Sequence, residues 1–323
     1  MYSLRTQLGG AGRQTGERLT LHPPAKVNLT LEILARRPDG FHELETLMLA
    51  VSVCDTLICE PTDDSKLHVR CQWAAGLLAQ SIEIWQPLPA TNDNLVWKAL
   101  ERLRIAAGVT RGVRVDVIKR IPAQAGLGGA SADAAAALLA ANAVWQLHWP
   151  IERLAEVAAQ LGSDVPFFLT GGAAVCRGRG EQIEVVRAPR CSLVIVRPPT
   201  GLSTPAVFKR CQPSSPRQAA SDMLRDFARG DSAAAARALH NGLQQPAEQL
   251  SPWISKLRRA FETTGCLGHQ MSGSGSSYFG LCWHVGQAKR IARRLRSMNL
   301  GAVMVAETVS TTLQAAAKAS QQV

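Results

Sequence analysis

The stretch IPAQAGLGGASADAAAALLAANAVWQL, residues 121–147, joins a glycine-rich loop to an alanine-rich helix that we expect to begin near Ser131. Glycine lets the backbone approach a ligand closely, because no Cβ stands in the way. A helix that begins directly after such a loop points free N–H groups and the positive end of its dipole at that ligand. The pattern therefore favours an anion, most often a phosphate. A plain turn before a buried helix would have the same composition, so both interpretations stay open at this point.

The common nucleotide-binding signatures do not decide between these two interpretations. No Gly-Lys pair occurs in the chain, so the phosphate loop that ends in Gly-Lys-Ser/Thr is absent. The spacing of the glycines does not fit the dinucleotide-binding fingerprint either. Pro38-Asp39-Gly40 is a turn sequence and not the metal-binding Asp-Phe-Gly of the protein kinases. A nucleotide site would have to be of another kind.

The glycine loop resembles the phosphate-loop motif of the GHMP small-molecule kinases, in Pro122 and in the run GLGGASADAA over residues 126–135. Further segments are similar to motifs of one branch of this family and occur in family order between residues 19 and about 306. They are PAKVNL (24–29) with RPDGFHEL (37–44), GSDVPFF (162–168) and MSGSGS (271–276). Four motifs in register are a far more specific signal than one glycine loop.

The resemblance implies an α+β protein with the two-domain GHMP kinase fold and the active site in the interdomain cleft. The order of turn and strand signals places the domain boundary near residue 188. The predicted units are a disordered tail over 1–18, an N-terminal GHMP kinase domain with the phosphate loop over 19–188, a C-terminal GHMP kinase domain over 189–308 and a tail over 309–323. The first segment contains arginine and few acids, so a transit peptide is the alternative to a disordered tail.

Apolar periodicity predicts alternating strands and helices without an internal repeat. Asn94 is a predicted N-cap for an amphipathic helix that begins at Leu95. The segment 204–263 is predicted to be mainly helical, with a break at Pro246, and 265–280 to be a loop between strands. The predicted strands cover 27–34, 44–59, 67–73, 81–85, 113–118, 191–196 and 301–306, with two more within 172–186.

The same resemblance implies an ATP-dependent kinase with an alcohol as acceptor. In the branch concerned, the acceptor is the 2-hydroxyl of 4-diphosphocytidyl-2-C-methyl-D-erythritol, in the non-mevalonate (MEP) pathway of isoprenoid and terpenoid biosynthesis. ATP chemistry implies Mg²⁺ as well, but the sequence offers no ligand cluster and we predict no metal-binding residue. Homoserine, mevalonate or a sugar as acceptor is the alternative within the family.

A kinase of this kind needs a group that orients or deprotonates the hydroxyl and positive charge near the moving phosphoryl group. By resemblance, Asp164 is the catalytic base, and Lys26 contacts both that acid and the acceptor hydroxyl. Judged from the residues alone, Asp164 could simply hold a turn, and Lys26 could be a solvated strand position. Asn28 lies two residues further along the strand and so on the same face, where it would reach the same substrate.

The binding residues also follow from the resemblance. Phe41 and His42 correspond to the pair that binds cytosine in this family. Tyrosine is usual at the first of these positions; the phenyl ring of Phe41 can still stack on the base, but any contact through a phenol oxygen is lost. The predicted substrate-binding residues are Asn28, Phe41, His42, Thr204, Phe208, Gly273 and Ser274. The predicted ATP-binding residues are Pro122, Ala123, Gln124, Ala125, Gly126, Leu127, Gly128, Gly129, Ala130, Ser131 and Ala132.

Two alanines near the start of the helix differ from the common motif, and an acid beside them needs an interpretation of its own. Ala132 stands where serine or threonine is frequent, and it removes one possible hydroxyl contact to phosphate. Ala130 stands at a position where glycine is frequent in the motif, and its Cβ restricts the backbone conformations that this residue can adopt. Asp133 should not face a triphosphate, so we predict a capping or structural role for it.

Composition limits the other function classes. Lys and Arg number 36 against 25 Asp and Glu, giving a formal charge of +11, but the basic residues are scattered and aromatic residues are 5%. We read this charge as a bias toward anionic small molecules and expect no nucleic-acid partner, although a non-catalytic nucleotide- or RNA-binding protein is the alternative from a different class. No run of 18 apolar residues occurs, so no membrane partner is expected.

The eight cysteines contain no Cys-x-x-Cys pair and no closely spaced Cys/His cluster. They are most simply reduced thiols, which predicts a cytoplasmic protein. The expected assembly is a monomer or a weak homodimer.

Overall fold

The computed structural model describes residues 18–77, 85, 87–213, 215, 217–310, 313 and 317. The predicted disordered tail over 1–18 therefore lies outside the described residues, apart from Arg18, and so does the predicted strand over 81–85, apart from Trp85. The described residues form a mixture of helices and mainly antiparallel sheets, which confirms the α+β class.

The strands form three sheets within the described residues. They are β1 (Leu19–Leu21), β2 (Pro24–Arg36), β3 (His42–Cys54), β4 (Thr56–Pro61), β5 (Leu67–Trp73), β6 (Val113–Lys119), β7 (Ala173–Gly178), β8 (Gln182–Val186), β9 (Ser192–Arg197), β10 (His240–Asn241), β11 (Gly268–Met271), β12 (Tyr278–Cys282) and β13 (Ala302–Glu307).

The α-helices cover the faces of these sheets. They are α1 (Leu95–Ala107), α2 (Gly129–Val144), α3 (Ile151–Ala159), α4 (Val165–Thr170), α5 (Thr204–Arg210), α6 (Ala219–Ala228), α7 (Ser232–Arg237), α8 (Gln244–Leu250), α9 (Pro252–Glu262) and α10 (Val285–Ser297).

The first sheet has the strand order β1-β4-β6-β5, the second β10-β2-β3-β7-β8 and the third β11-β12-β9-β13. Strand β10 pairs in parallel with β2, with His240 opposite Thr30 and Asn241 opposite Leu31. A segment from the second half of the chain thus completes the edge of a sheet built from the first half. The predicted domain boundary falls in the connection between β8 and β9, and it stays a prediction.

Helix α2 lies at the centre of the first core cluster. Its alanines from Ala134 to Ala137 are fully buried, and Trp145 just after it is 1% exposed. A helix that is apolar on every side is typical of a buried element, and small side chains let neighbouring elements pack close to it. The glycine loop that precedes α2 is thereby anchored to the most buried helix of this half.

The third sheet separates two further cores. Leu193 and Ile195 of β9 pack in one cluster with β2 and β3, while Val194 and Val196 pack in another with α8, α9 and α10. This alternation is the period of two expected for a strand with both faces covered. It accounts for the uninterrupted apolar run from which this strand was predicted.

The structure confirms one local prediction, a helix cap, and contradicts two others, a long strand and a helix break. Asn94 caps α1 as predicted, since its Oδ1 accepts the N–H of Val96 at 2.9 Å. The prediction of one strand over 44–59 was wrong, because buried Asp55 separates β3 from β4 and the two belong to different sheets. The predicted break at Pro246 was also wrong, since this residue lies within the first turn of α8, where proline is tolerated.

The segment predicted as a tail over 309–323 is described only at residues 309, 310, 313 and 317. Leu313 and Ala317 are buried against the first core cluster. The rest of that segment lies outside the described residues.

Candidate active site

Lys26 and Asp164 come together near the start of β2, of which Lys26 is the third residue. The Nζ atom of Lys26 lies 3.6 Å from Oδ2 of Asp164, and the two side chains are 5% and 34% exposed. Asp164 immediately precedes α4, which begins with apolar residues that pack in the core. Packing of this short helix therefore fixes where the carboxylate sits relative to the strand.

Asn28 holds the ammonium group of Lys26 from the same face of the strand. Lys26 Nζ donates to Asn28 Oδ1 at 2.6 Å, and Asn28 Nδ2 donates to Thr46 Oγ1 at 2.8 Å. The backbone oxygen of Asn28 accepts from Gln270 Nε2 at 2.9 Å. With both ends of its side-chain amide engaged, Asn28 orients the lysine toward Asp164.

The glycine loop approaches this pair closely. Gly128 has a φ of 71°, and a Cβ there would lie 2.8 Å from Cζ of Phe168 and 3.0 Å from Cγ of Lys26. Gly126 also has a φ of 71°, and its Cβ would lie 2.1 Å from the backbone oxygen of Ser272. Both positions require glycine for backbone conformation and for space. Helix α2 begins at Gly129, two residues before the predicted start at Ser131.

Within the loop, the side chains differ in where they point. Leu127 and Ala132 are 1% and 0% exposed and belong to the core, so only their backbone could contact a phosphate. Gly128 is the N-cap of α2, and no side chain caps this helix end. The first N–H groups of the helix are therefore left for water or a ligand.

Asp133 does not cap the helix, so that part of the prediction was wrong and the structural role is confirmed. Its Oδ2 accepts from Lys119 Nζ at 2.5 Å, and Lys119 also pairs with Asp55. Asp55 accepts the backbone N–H of Ile121 at 2.8 Å. This buried cluster fixes Ile121, which leads into the loop, and Asp133, the fifth residue of the helix that follows the loop.

The charges of this cluster do not balance, because one ammonium group faces two carboxylates. Burial raises the pKa of Asp133, and the positive charge of Lys119 offsets this only in part. Burial alone would lower the pKa of Lys119, but Asp133 and Asp55 together raise it above its ordinary value. Asp133 Oδ1 is buried without a hydrogen-bond partner among the residues described. Protonation of Asp133 is thus the favoured way to relieve the excess negative charge.

The serine- and glycine-rich loop between β11 and β12 closes the site from the other half of the chain. Ser272 Oγ donates to the backbone oxygen of Gly126 at 3.0 Å. A Cβ at Gly273 would lie 3.1 Å from Lys26 Nζ. Asn241 Nδ2 supports this loop by donating to the backbone oxygen of Gly273 at 2.9 Å. Gly273 thus lies beside the Lys26 ammonium group, and its role in substrate binding stays a prediction.

Helix α5 links this loop to the predicted cytosine-binding pair. The Oγ atoms of Thr204 and Ser274 lie 2.7 Å apart. One helical turn later, the ring of Phe208 lies 5.3 Å from that of His42 between centroids. Burial, and then the charge of Arg36, lower the pKa of His42. A neutral imidazole of this kind can donate one hydrogen bond and accept another.

Phe41 is 51% exposed and lies at the rim of this region. The guanidinium carbon of Arg179 lies 4.8 Å from the centroid of its ring. Sequence reasoning did not select Arg179, and no motif marks it. The same is true of Asn241 and Gln270, whose roles depend on contacts with distant segments of the chain.

Sequence profiles of one protein family match segments in both halves of the chain. The sequence profile described as "GHMP kinases N terminal domain" matches residues 94–172, and that described as "GHMP kinases C terminal" matches residues 223–299. Over 275 residues the chain is 41% identical to 4-diphosphocytidyl-2-C-methyl-D-erythritol kinase of Pelotomaculum thermopropionicum, covering 84% of this chain and 92% of that relative. The chain belongs to the 4-diphosphocytidyl-2-C-methyl-D-erythritol kinase family of GHMP kinases.

Other members of the family agree with this assignment. The kinase of the same name from Listeria monocytogenes is 33% identical over 283 residues, covering 86% of this chain and 92% of its own. A crystal structure of 4-(cytidine 5'-diphospho)-2C-methyl-D-erythritol kinase superposes with a TM-score of 0.75 at 34% identity, over 91% of this chain and 100% of that one. Homoserine kinase from Cytophaga hutchinsonii, at 19% identity and a TM-score of 0.70, shares the fold. The two-domain GHMP kinase fold and the phosphotransferase class are therefore confirmed.

Two further features concern the described part of the chain only. None of its helices combines the length and apolar character that crossing a membrane requires. No group of three or more His, Cys, Asp or Glu side chains within it could hold a metal ion.

Proposed function

We propose that this chain transfers the γ-phosphoryl group of ATP to the 2-hydroxyl of 4-diphosphocytidyl-2-C-methyl-D-erythritol. The observation that carries the proposal is the convergence of an acid, a lysine and a glycine-rich helix start. Asp164 lies 3.6 Å from Lys26 Nζ, and the Lys26 stem lies 3.0 Å from the Cβ position of Gly128. Relatives named for this kinase, which the chain matches over most of its length, support the choice of acceptor.

In this proposal Asp164 orients the acceptor hydroxyl and takes its proton as the oxygen attacks. The acceptor oxygen forms a bond to the γ-phosphorus, the bond from that phosphorus to the β–γ bridging oxygen breaks, and ADP leaves with the electron pair. Lys26 stabilises the negative charge that develops on the oxygens nearby. Its side chain is 5% exposed, so water screens its charge little.

The loop from Gly126 to Ser131 and the start of α2 are the proposed site for the ATP phosphates. These residues fit phosphates because Gly126 and Gly128, which have no Cβ, would let the backbone lie close to them, and because no side chain caps the start of the helix. Backbone N–H groups and the helix dipole would then face the phosphates. Mg²⁺ accompanying ATP would neutralise phosphate charge, and we assign it no protein ligand.

Phe41, His42, Phe208 and Thr204 are the proposed cytosine pocket. The contact between His42 and Phe208 joins the two halves of the chain, and Thr204 meets Ser274 of the loop beside Lys26. A base held by these rings would place the rest of the acceptor toward the catalytic pair. A cytoplasmic location and a monomeric or weakly dimeric state also remain our proposals.

The test is turnover of purified protein with ATP and a panel of acceptors, followed by coupled ADP release. The panel contains 4-diphosphocytidyl-2-C-methyl-D-erythritol, homoserine, mevalonate and galactose. We expect turnover with the cytidyl compound alone. Turnover with another alcohol would contradict the proposed cytosine pocket and leave the catalytic pair as proposed. No turnover with any of the four would favour a non-catalytic binding protein.

A further inference from the structure

Arg197 is a completely buried arginine beside the proposed phosphate loop. It is the last residue of β9 and is 0% exposed. Its Nη2 donates to the backbone oxygen of Ala123 at 3.3 Å, and its Nη1 donates to that of Pro198. Ala123 belongs to the segment that leads into Gly126, so the guanidinium group lies directly against the start of the loop.

No acid neutralises this arginine among the residues that the structure describes. Neither an ion pair nor a hydrogen bond joins its guanidinium group to a described Asp or Glu, and its buried Nε has no partner. Burial lowers the pKa of Arg197 to about 10, which leaves it charged at neutral pH. Lys119 is buried to a similar degree but pairs with two carboxylates. Of these two buried cations near the loop, only Arg197 lacks a counter-charge.

Burying a charge without an opposite charge is costly, and carbonyl oxygens compensate only part of the lost hydration. An anion bound nearby would supply the missing compensation, and in a poorly hydrated interior the attraction is screened little. The carbonyl of Ala123 that Arg197 contacts belongs to the segment that leads into the loop proposed to hold the phosphates. The ligand that best matches this charge is therefore the polyphosphate of a nucleoside triphosphate.

We propose that Arg197 is a positioning residue whose buried charge favours binding of a nucleoside triphosphate at the 122–131 loop and lowers the stability of the ligand-free protein. The inference rests on the proposed function, because it takes ATP as the ligand of this loop. A purely structural arginine, which only ties β9 to the loop, would instead stabilise the ligand-free protein.

The test compares wild type with Arg197→Met by calorimetric titration with a non-hydrolysable ATP analogue and by thermal unfolding with and without it. We expect the variant to bind the analogue about fivefold or more weakly. Its ligand-free melting temperature should equal or exceed that of wild type, and its stabilisation by the analogue should shrink. Arg293→Met, which removes the same charge from the exposed face of α10, should change neither quantity.

The pH dependence of analogue binding by Arg197→Lys separates the proposed role from a purely structural one, which would leave that dependence as in wild type. A buried lysine loses its proton at lower pH than an arginine, so affinity of this variant for the analogue should fall as pH rises from 6 to 9. Wild-type affinity should fall less over that range.

Three results would overturn the inference. They are unchanged affinity in Arg197→Met, a joint loss of affinity and ligand-free stability in that variant, and a lysine variant whose pH profile parallels wild type. If Arg197→Met does not fold, the lysine profile decides. Absence of analogue binding by wild type would instead refute the proposed function.

Discussion

The ammonium group of Lys26 lies 3.6 Å from the carboxylate of Asp164, and the acid is the more exposed of the two, at 34% against 5%. The lysine reaches it from a buried strand, and the acid stands at the start of a short, packed helix. An alcohol that enters from solvent therefore meets the carboxylate first, with the positive charge behind it. This order suits a base that takes a proton and a cation that stabilises the charge left behind.

Asp164→Asn tests the role of the acid directly. The amide keeps the shape of the side chain but cannot take the proton, so we expect kcat to fall by about 10²–10⁴-fold. Coupled ADP release with the cytidyl acceptor measures the change, and an unchanged unfolding curve shows that the variant is folded. Full turnover by a folded variant would remove Asp164 from the mechanism.

Gly128→Ala tests whether the loop needs glycine for space as well as for conformation. Gly108 is the matched control, because its φ of 64° is similar to the 71° of Gly128, yet nothing lies within 4 Å of its Cβ position. We expect Gly108→Ala to cost about 1 kcal/mol of unfolding free energy, because alanine is disfavoured at a positive φ. Gly128→Ala should cost more, and it should weaken binding of an ATP analogue about tenfold.

Urea unfolding and calorimetric titration measure these two effects. Equal costs for the two substitutions would mean that the crowding by Phe168 and Lys26 is relieved without penalty. Unchanged analogue affinity in Gly128→Ala would argue against phosphate binding at this part of the loop.

Asp133→Asn tests the charge balance of the buried cluster. Burial raises the pKa of Asp133 above its ordinary value of 3.8 in the folded protein. The folded protein therefore keeps a proton that the unfolded chain releases above that pH. The stabilisation from this group is fully present below pH 3.8 and is lost as pH rises through the raised folded value.

The asparagine variant should lack this contribution, so its stability should decline less between pH 5 and 9 than that of wild type. Urea unfolding at several pH values measures the difference. Asp116→Asn is the control, since Asp116 lies on the same strand β6 as Lys119 but on the opposite face of that strand. A variant with the same pH slope as wild type would show that Asp133 is ionised throughout.

Phe41→Ala and Phe41→Tyr test the proposed base-binding ring. Loss of the ring should raise KM for the cytidyl acceptor about tenfold, with kcat and the KM for ATP little changed. The tyrosine variant keeps the aromatic face and should stay within about twofold of wild type. If the alanine variant keeps its acceptor KM, Phe41 does not stack on the base.

Features that depend on neighbouring residues were predictable from the sequence. The cap at Asn94 and the glycines before α2 express local backbone requirements, and the structure bears out both. The resemblance to GHMP kinases added residues that are far apart in the chain but close in the fold, such as Lys26 and Asp164.

Partners of buried charges were not predictable in the same way. Lys119 meets Asp55 from 64 residues away, and Arg197 meets Ala123 from 74 residues away. The sequence next to Lys119, Asp55 or Arg197 does not show which residue each side chain meets, because only the pairing of strands decides what lies beside it. A cap was one of the two roles predicted for Asp133, because an acid near a helix start usually caps it, but here its side chain pairs with the buried Lys119.

Strand β10 has a consequence for how the chain can be divided. Its two residues cover the edge of β2, and the buried carboxylate of Glu32 nearby accepts the backbone N–H groups of Arg217 and Ala219. During synthesis the ribosome releases β2 long before these covering segments exist, so an aggregation-prone edge stays open until residue 241 emerges. A fragment cut near residue 188 would keep that edge open permanently, and self-association through it is the expected fate of such a fragment.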